Sequence, residues 1–236
     1  MRIILIIILL LIALPQTFAQ EKKTKDSKKF NYGVSLSANA PFVHDRKTLV
    51  NNIVVSKPSN ETKMAGSISL FGRANFKNHY LQLEAGTSVI RDVVTMDIKE
   101  FGYSSNLNID SKNFALTLDI PLIYGYNFIK RDKYELSLFV GPKLRYTYLN
   151  KEDINNPQNI TFNLKEDTNH ITACVIIGMG TKISRVLIDF KYEFGITEHN
   201  KPGTFSLYEN SVLISEGTFY AKRSINLLSF SLGVIL

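Results

Sequence analysis

The sequence predicts an all-β chain, an eight-stranded antiparallel transmembrane β-barrel of outer-membrane type. Three observations predict it. Long runs alternate strictly between apolar and small or polar residues, above all Phe114–Phe128 and Tyr134–Tyr148 around the turn 129–133. Side chains alternate across a strand, so each run has one oily face and one polar face. Such runs exceed the 5–6 residues of an ordinary strand and suit the roughly 9–11 needed to cross hydrocarbon. The connections alternate long and short, as the outer loops and periplasmic turns of a membrane barrel do. The oily faces also carry aromatics at both ends: Tyr32, Tyr126, Phe128 and Tyr134 at one rim, and Phe114, Tyr146, Tyr148, Tyr192 and Phe194 at the other. Two aromatic girdles are a membrane-barrel feature.

The first strand is expected at Phe30–Ala40, with Tyr32, Val34, Leu36 and Ala38 on its oily face. A connection rich in Asn, Lys and Ser runs over 41–62 and leads to a second strand, Lys63–Ala74. After the turn 75–79, a third strand spans Tyr80 to about Arg91, with Leu81, Leu83 and Val89 against Gln82, Glu84 and Ser88. The long connection 92–113 precedes the central hairpin, which supplies strands four and five. A third long loop, 149–168, contains the turn-forming Asn155-Asn156-Pro157. Strand six is Asn169–Thr181, and a turn at 182–185 leads to strand seven, Val186–Ile196. A fourth long loop, 197–219, precedes strand eight, where Leu228, Phe230, Leu232, Val234 and Leu236 oppose Ser229, Ser231 and Gly233. Ile225 and Leu227 have the opposite parity, so a bulge is expected near Leu227.

The N-terminal region reads differently. Arg2 is followed by an apolar run from Ile3 to Leu14, too short for a spanning helix of about 20 residues. Thr17 and Ala19 place small residues before a cut at Gln20, the layout of a cleaved secretory signal over 1–19. A basic tail follows at 20–29, with Lys22, Lys23, Lys25, Lys28 and Lys29, and the barrel domain at 30–236. That tail carries much of the net charge of +7 and reads as solvated rather than as a nucleic-acid site. The single cysteine, Cys174, rules out an intramolecular disulfide.

Which face points outward follows from composition. The polar face is mostly Gly, Ser, Thr and Asn, which suits a narrow lumen. A soluble lipocalin-like barrel would bury its oily face and crowd the other with Lys and Glu. The segments Tyr32-Gly33-Val34-Ser35-Leu36, Tyr80-Leu81-Gln82-Leu83-Glu84, Leu118-Asp119-Ile120-Pro121-Leu122, Phe139-Val140-Gly141-Pro142 and Asp189-Phe190-Lys191-Tyr192-Glu193-Phe194-Gly195 resemble the outer-membrane β-barrel domain family common in Bacteroidetes, which includes PorT-like proteins. That resemblance implies a porin-like barrel in the cell outer membrane, associated with export or assembly in the envelope.

Nine charges fall on the expected lumen face: Arg73, Lys143, Arg145 and Lys191 against Glu84, Asp119, Glu135, Asp189 and Glu193. Lone buried charges are costly, so they are expected to pair as a structural network that plugs the lumen. By height along the strands, Asp119 and Lys143 are expected to meet, with Arg145 and Lys191 nearer the outer rim and Glu135 near the periplasmic turn. The four histidines, His44, His79, His170 and His199, sit at turns or loops with no nucleophile or metal motif beside them. No catalytic, cofactor or metal site is expected. The sequence therefore predicts a non-enzymatic barrel with both termini periplasmic, with outer-membrane lipids as partners and other envelope proteins met through the long outer loops. A small channel and a lipid-modifying enzyme are the competing functions.

Overall fold

A computed structural model describes residues 29–55, 59–63, 65–103, 108–131, 134–156, 159–165 and 168–236. The expected signal peptide, and the tail apart from Lys29, lie outside the described residues. Among these residues one sheet holds twelve strands: β1 (Phe30–Val50), β2 (Ile53–Val55), β3 (Ser59–Thr62), β4 (Ala65–Phe76), β5 (His79–Asp97), β6 (Asn108–Lys130), β7 (Tyr134–Asn155), β8 (Ile160–Lys165), β9 (Ile171–Ile183), β10 (Val186–Gly195), β11 (Gly203–Glu209) and β12 (Val212–Ile235). The expected count of eight is corrected to twelve. The long strands pair antiparallel in the order β1-β4-β5-β6-β7-β9-β10-β12. The sheet closes because β12 returns to β1, from Gly33↔Ile235 to Val50↔Phe219.

The four additional strands arise where the sequence suggests polar loops. At this end of the barrel the long strands continue, and β2, β3, β11 and β8 pair onto β1, β5, β12 and β11 respectively. Asn51 and Asn52 both have positive φ, 49° and 65°, as do Asn210 and Ser211, 49° and 68°. Those values are the left-handed pair that a two-residue hairpin turn needs, and Asn adopts it at low cost. At the opposite end the chain turns tightly through Lys77 and Ser184, also at positive φ, and Lys182, expected in a turn, belongs to β9.

Alternation dictates the two faces. In β6 every odd position from Ala115 to Asn127 is buried, while Leu118, Ile120, Leu122, Tyr124, Tyr126 and Phe128 are exposed. Tyr32, Leu36, Leu70, Leu83, Leu144, Tyr148, Phe190 and Leu232 extend this apolar exterior around the ring. A contiguous outer wall of this kind would be unstable in water, and it inverts the soluble-barrel arrangement. The bulge expected near Leu227 is absent. Pairing between β10 and β12 runs unbroken from Val186↔Val234 to Glu193↔Leu227, and Leu227 is an apolar lumen residue, 1% exposed. The register instead shifts on β1 between Asp45 and Lys47, and in the β6–β7 pair at Leu116/Thr117 and Asn127/Ile129.

The lumen is filled in layers. Near the short turns, Phe71, Leu187 and Ile235 form one apolar cluster, and Tyr80, Ile123, Phe139 and Ile176 another. Tyr80 lies over Gly125, where an added Cβ would come within 2.0 Å of the ring, so only glycine accommodates it. Asp119, Lys143, Arg145, Glu193, Glu84 and Lys191 occupy the middle, while Glu135 and Lys182 pair beside the short turns. At the far end, inside the strand extensions, Val50, Val94, Met96, Phe101, Ile109, Phe162, Phe205, Leu207 and Phe219 build a third apolar core.

Candidate functional site

The mid-lumen is the chemically distinctive part of the molecule. Apart from Leu227, strands β1, β4 and β12 present mainly small side chains there: Ser35 bonds Ser69 at 2.7 Å, Ser37 bonds Ser231 at 2.7 Å, and Asn39 donates to Ser67 at 3.2 Å. This leaves room for the long charged side chains that β5, β6, β7 and β10 project from the opposite wall. A cavity of about 40 Å³ separates the two halves, lined by Ser37, Ser67, Ser229, Ser231, Glu84 and Lys191 among others. Its size matches one or a few waters.

All nine charges expected on the lumen face are buried. Asp119, Lys143, Arg145 and Glu193 form a four-membered cluster. Lys143 Nζ lies 2.8 Å from Asp119 Oδ2 and 2.8 Å from Glu193 Oε1. Arg145 donates from Nε to Asp119 Oδ1 at 3.0 Å and from Nη2 to Glu193 Oε2 at 2.9 Å. Ser88 and Thr117 complete the Asp119 carboxylate at 2.7 and 3.2 Å. Each acid thus meets both bases, the condition under which buried ions are tolerated. Arg145 does not sit apart at the rim, as its height along the strand suggests. The register Asp119↔Arg145 sets it directly opposite the acid.

Lys191 likewise lies in the central layers. Its Nζ is 3.2 Å from Glu84 and 3.9 Å from Asp189. Gln82 links this group onward, donating to Glu84 at 2.5 Å and accepting from Arg73 at 2.5 Å, and Arg73 stacks 4.0 Å from the centre of the Tyr80 ring. Glu135 pairs with Lys182 at 2.6 Å. Lys182 and Gln82 are the members that the sequence does not reveal, the first because it falls in the expected turn and the second because it is uncharged. With Lys182, the nine expected charges become a set of five bases and five acids.

Above the charges, Asp92, Asn113, Glu152, Thr168, His199, Asn200 and Arg223 line a second cavity of about 40 Å³ beneath the apolar cap. Asn113 donates to Asp92 at 3.0 Å and Ser111 to Glu152 at 2.5 Å. The His199 pKa is pushed down to about 4, first by burial and then by Arg145 and Arg223. A histidine held neutral in the fold takes up its proton more readily when unfolded. Its contribution is therefore complete above about pH 6.5 and is lost as pH falls from there toward 4, amounting to about 3 kcal/mol at most. Thermal midpoints measured across this window should fall with pH, and His199→Gln should flatten the dependence. The other described histidines have local roles: His79 Nδ1 lies 2.6 Å from the Tyr124 hydroxyl and His170 Nδ1 lies 3.0 Å from the Thr147 carbonyl. The side chain of His44 lies outside the described residues. No set of three metal-ligating side chains converges among the described residues.

Comparison with known proteins places this architecture. No curated protein matches the chain in sequence. Among solved structures, it is similar to the outer membrane protein OprG of Pseudomonas aeruginosa, with 11% identity, 86% of this chain and 94% of that one covered, and a TM-score of 0.48. It is also similar to Neisserial surface protein A (10% identity, 87% and 97% covered, TM-score 0.36) and to the attachment invasion locus protein Ail of Yersinia pestis (9% identity, 88% and 97% covered, TM-score 0.35). A family model describing an outer membrane protein beta-barrel domain matches residues 18–199, most of the chain and every wall of the charged lumen except β12. The chain belongs to the outer membrane protein beta-barrel domain family.

Proposed function

We propose that this protein is a closed, non-conducting barrel whose eight mutually paired long strands cross the outer membrane, and whose extended outer end engages other envelope components in an export, assembly or binding system. As a member of its family the chain is a non-enzymatic outer-membrane β-barrel protein. The observation that carries the closed reading is the double seal of the interior: the charge-balanced middle layer and the apolar core around Phe101 beyond it. Both fill the interior with side chains, and eight strands enclose a space just wide enough for side chains, which supports a lumen without a continuous aqueous path. The lumen charges then act as a structural plug. The resemblance to PorT-like barrels supports the export or assembly role.

In this reading the signal is removed before Gln20, and both chain ends, together with the tight turns, face the periplasm. Leu236 donates its backbone N–H to the Tyr32 carbonyl at 3.0 Å, so the two ends of the described chain share one rim. In planar bilayers the purified protein should give no steady conductance, and a stepwise, persistent current would favour the channel instead. In a Cys174→Ser background, a thiol-reactive probe on intact cells should label Asn155→Cys and spare Arg185→Cys. The reverse pattern would overturn the orientation.

A further inference from the structure

The outer wall changes character abruptly where the expected outer aromatic girdle ends. On β5, β6 and β7 the register places Val89, Leu116 and Leu149 in one lateral row, and Arg91, Phe114 and Lys151 in the next row outward. The Arg91 guanidinium lies 5.3 Å from the centre of the Phe114 ring. Lys112, exposed on the same face, stands two residues beyond Phe114. Strands are spaced about 4.8 Å apart, so Arg91 and Lys151 root roughly 10 Å from each other with an aromatic ring between them. In the row beyond, Asp153 pairs with Lys112 and Glu61 with Val93, so by register the three cations share this wall with two acidic residues. Among the described residues, none of the three cations forms an ion pair.

We propose that Arg91, Lys112 and Lys151, arranged around Phe114, bind the phosphorylated headgroup of an outer-leaflet lipid. The site rests on the membrane orientation proposed above, because it is continuous with the apolar wall and begins where that wall ends. Phosphate lies directly beyond the hydrocarbon, at the height of this row. Arginine forks a phosphate with two parallel hydrogen bonds, lysine meets it as a point charge, and the ring packs on acyl or sugar carbons. Like charges gathered on neighbouring strands repel unless an anion joins them. The opposite wall provides a contrast. Lys47 and Lys222 also face each other across β1 and β12, but Lys222 is occupied by Glu198 at 3.6 Å and stacks 5.5 Å from the Tyr220 ring. Among the described residues Arg91, Lys112 and Lys151 have no carboxylate within ion-pair distance as Lys222 does, so their charge is available to a ligand.

The test reconstitutes the full-length processed protein into phosphatidylcholine vesicles, with or without bis-phosphorylated lipid A, and first checks insertion by flotation. The protein is then captured in mild detergent, and the ratio of lipid A to phosphatidylcholine that it retains is measured by mass spectrometry. The parent should enrich lipid A over its bulk share, the R91A/K112A/K151A variant should lose that enrichment, and Arg185→Ala at the other rim should keep it. Each cation should contribute about fivefold at low ionic strength, less as salt rises. Retention in bulk proportion, an unchanged triple variant that still floats, or displacement of the lipid by millimolar inorganic phosphate would each overturn the headgroup site. Failure of the parent to float would instead defeat the membrane reading on which the site rests.

Discussion

Asp119→Asn should be the most damaging single substitution in the lumen. Asp119 accepts from Lys143, Arg145, Ser88 and Thr117, so neutralising it leaves two buried cations facing Glu193 alone. Stranding a buried charge in a dry site costs about 3–5 kcal/mol. The thermal midpoint in detergent micelles should drop well below that of Asp153→Asn, a change on the exposed outer surface expected to fall within about 0.5 kcal/mol of the parent. Adding Lys143→Met should recover part of the loss, because one acid and one base, Glu193 and Arg145, then remain paired at 2.9 Å. A double variant no more stable than Asp119→Asn would show that the cluster is held by something other than charge balance. An Asp119→Asn protein as stable as the parent would show that water reaches the site, and the plug would then be a wetted constriction.

The parity of two side chains per repeat made the barrel wall legible. Once Phe114 to Phe128 reads as one face, Asp119 must lie on the other, and the same logic placed all nine charges inside. Which charges meet was harder to read, because height depends on stagger between strands. Counting residues from the expected turn sets Arg145 away from Asp119, whereas β6 runs on to Lys130, which pairs with Glu135, and the register shift at Asn127/Ile129 then puts the two directly opposite. Lys182 was hidden by a boundary error of two residues at the end of β9, where strand and turn have the same composition. The extended end opposite the short turns was hidden for a physical reason as well. Its strands face water on the outside, so residues such as Lys112, Asp153 and Asn163 dilute the apolar signal to that of a loop. The inward positions still alternate: Val94 and Met96 on β5, Ile160 and Phe162 on β8, Phe205 and Leu207 on β11. That period-two pattern was present in the sequence, masked by the polar residues between. Phe101 carried no such signal, since it enters the core from a 3₁₀ turn, Ile98–Phe101, where strand parity does not apply.

Phe101→Ala should therefore separate the two seals. Its ring is 3% exposed and lies 4.9 Å from Phe162, 4.9 Å from Phe205 and 5.6 Å from Phe219 between ring centres, so three strands converge on one side chain. Gly102, at φ 93°, turns the chain out of the core immediately afterward, and the Tyr103 hydroxyl ties it down by donating to Glu209 at 2.8 Å. Removing a buried aromatic ring costs about 3–5 kcal/mol. Here the loss falls on the cap, which among the described residues shares no ion pair with the charged layer. The cap should open locally while the ring of long strands stays closed, the behaviour of a low-stability unit attached to a stable one. Protease added outside intact vesicles should cut the extension about a hundredfold faster or more in the variant, while the barrel's thermal midpoint moves far less than with Asp119→Asn. Combining Phe101→Ala with Asp119→Asn should add within about 0.5 kcal/mol, as for sites without shared partners. A Phe101→Ala protein whose cleavage is unchanged but whose midpoint falls as far as that of Asp119→Asn would make cap and lumen one cooperative unit, and the interior would then have a single seal.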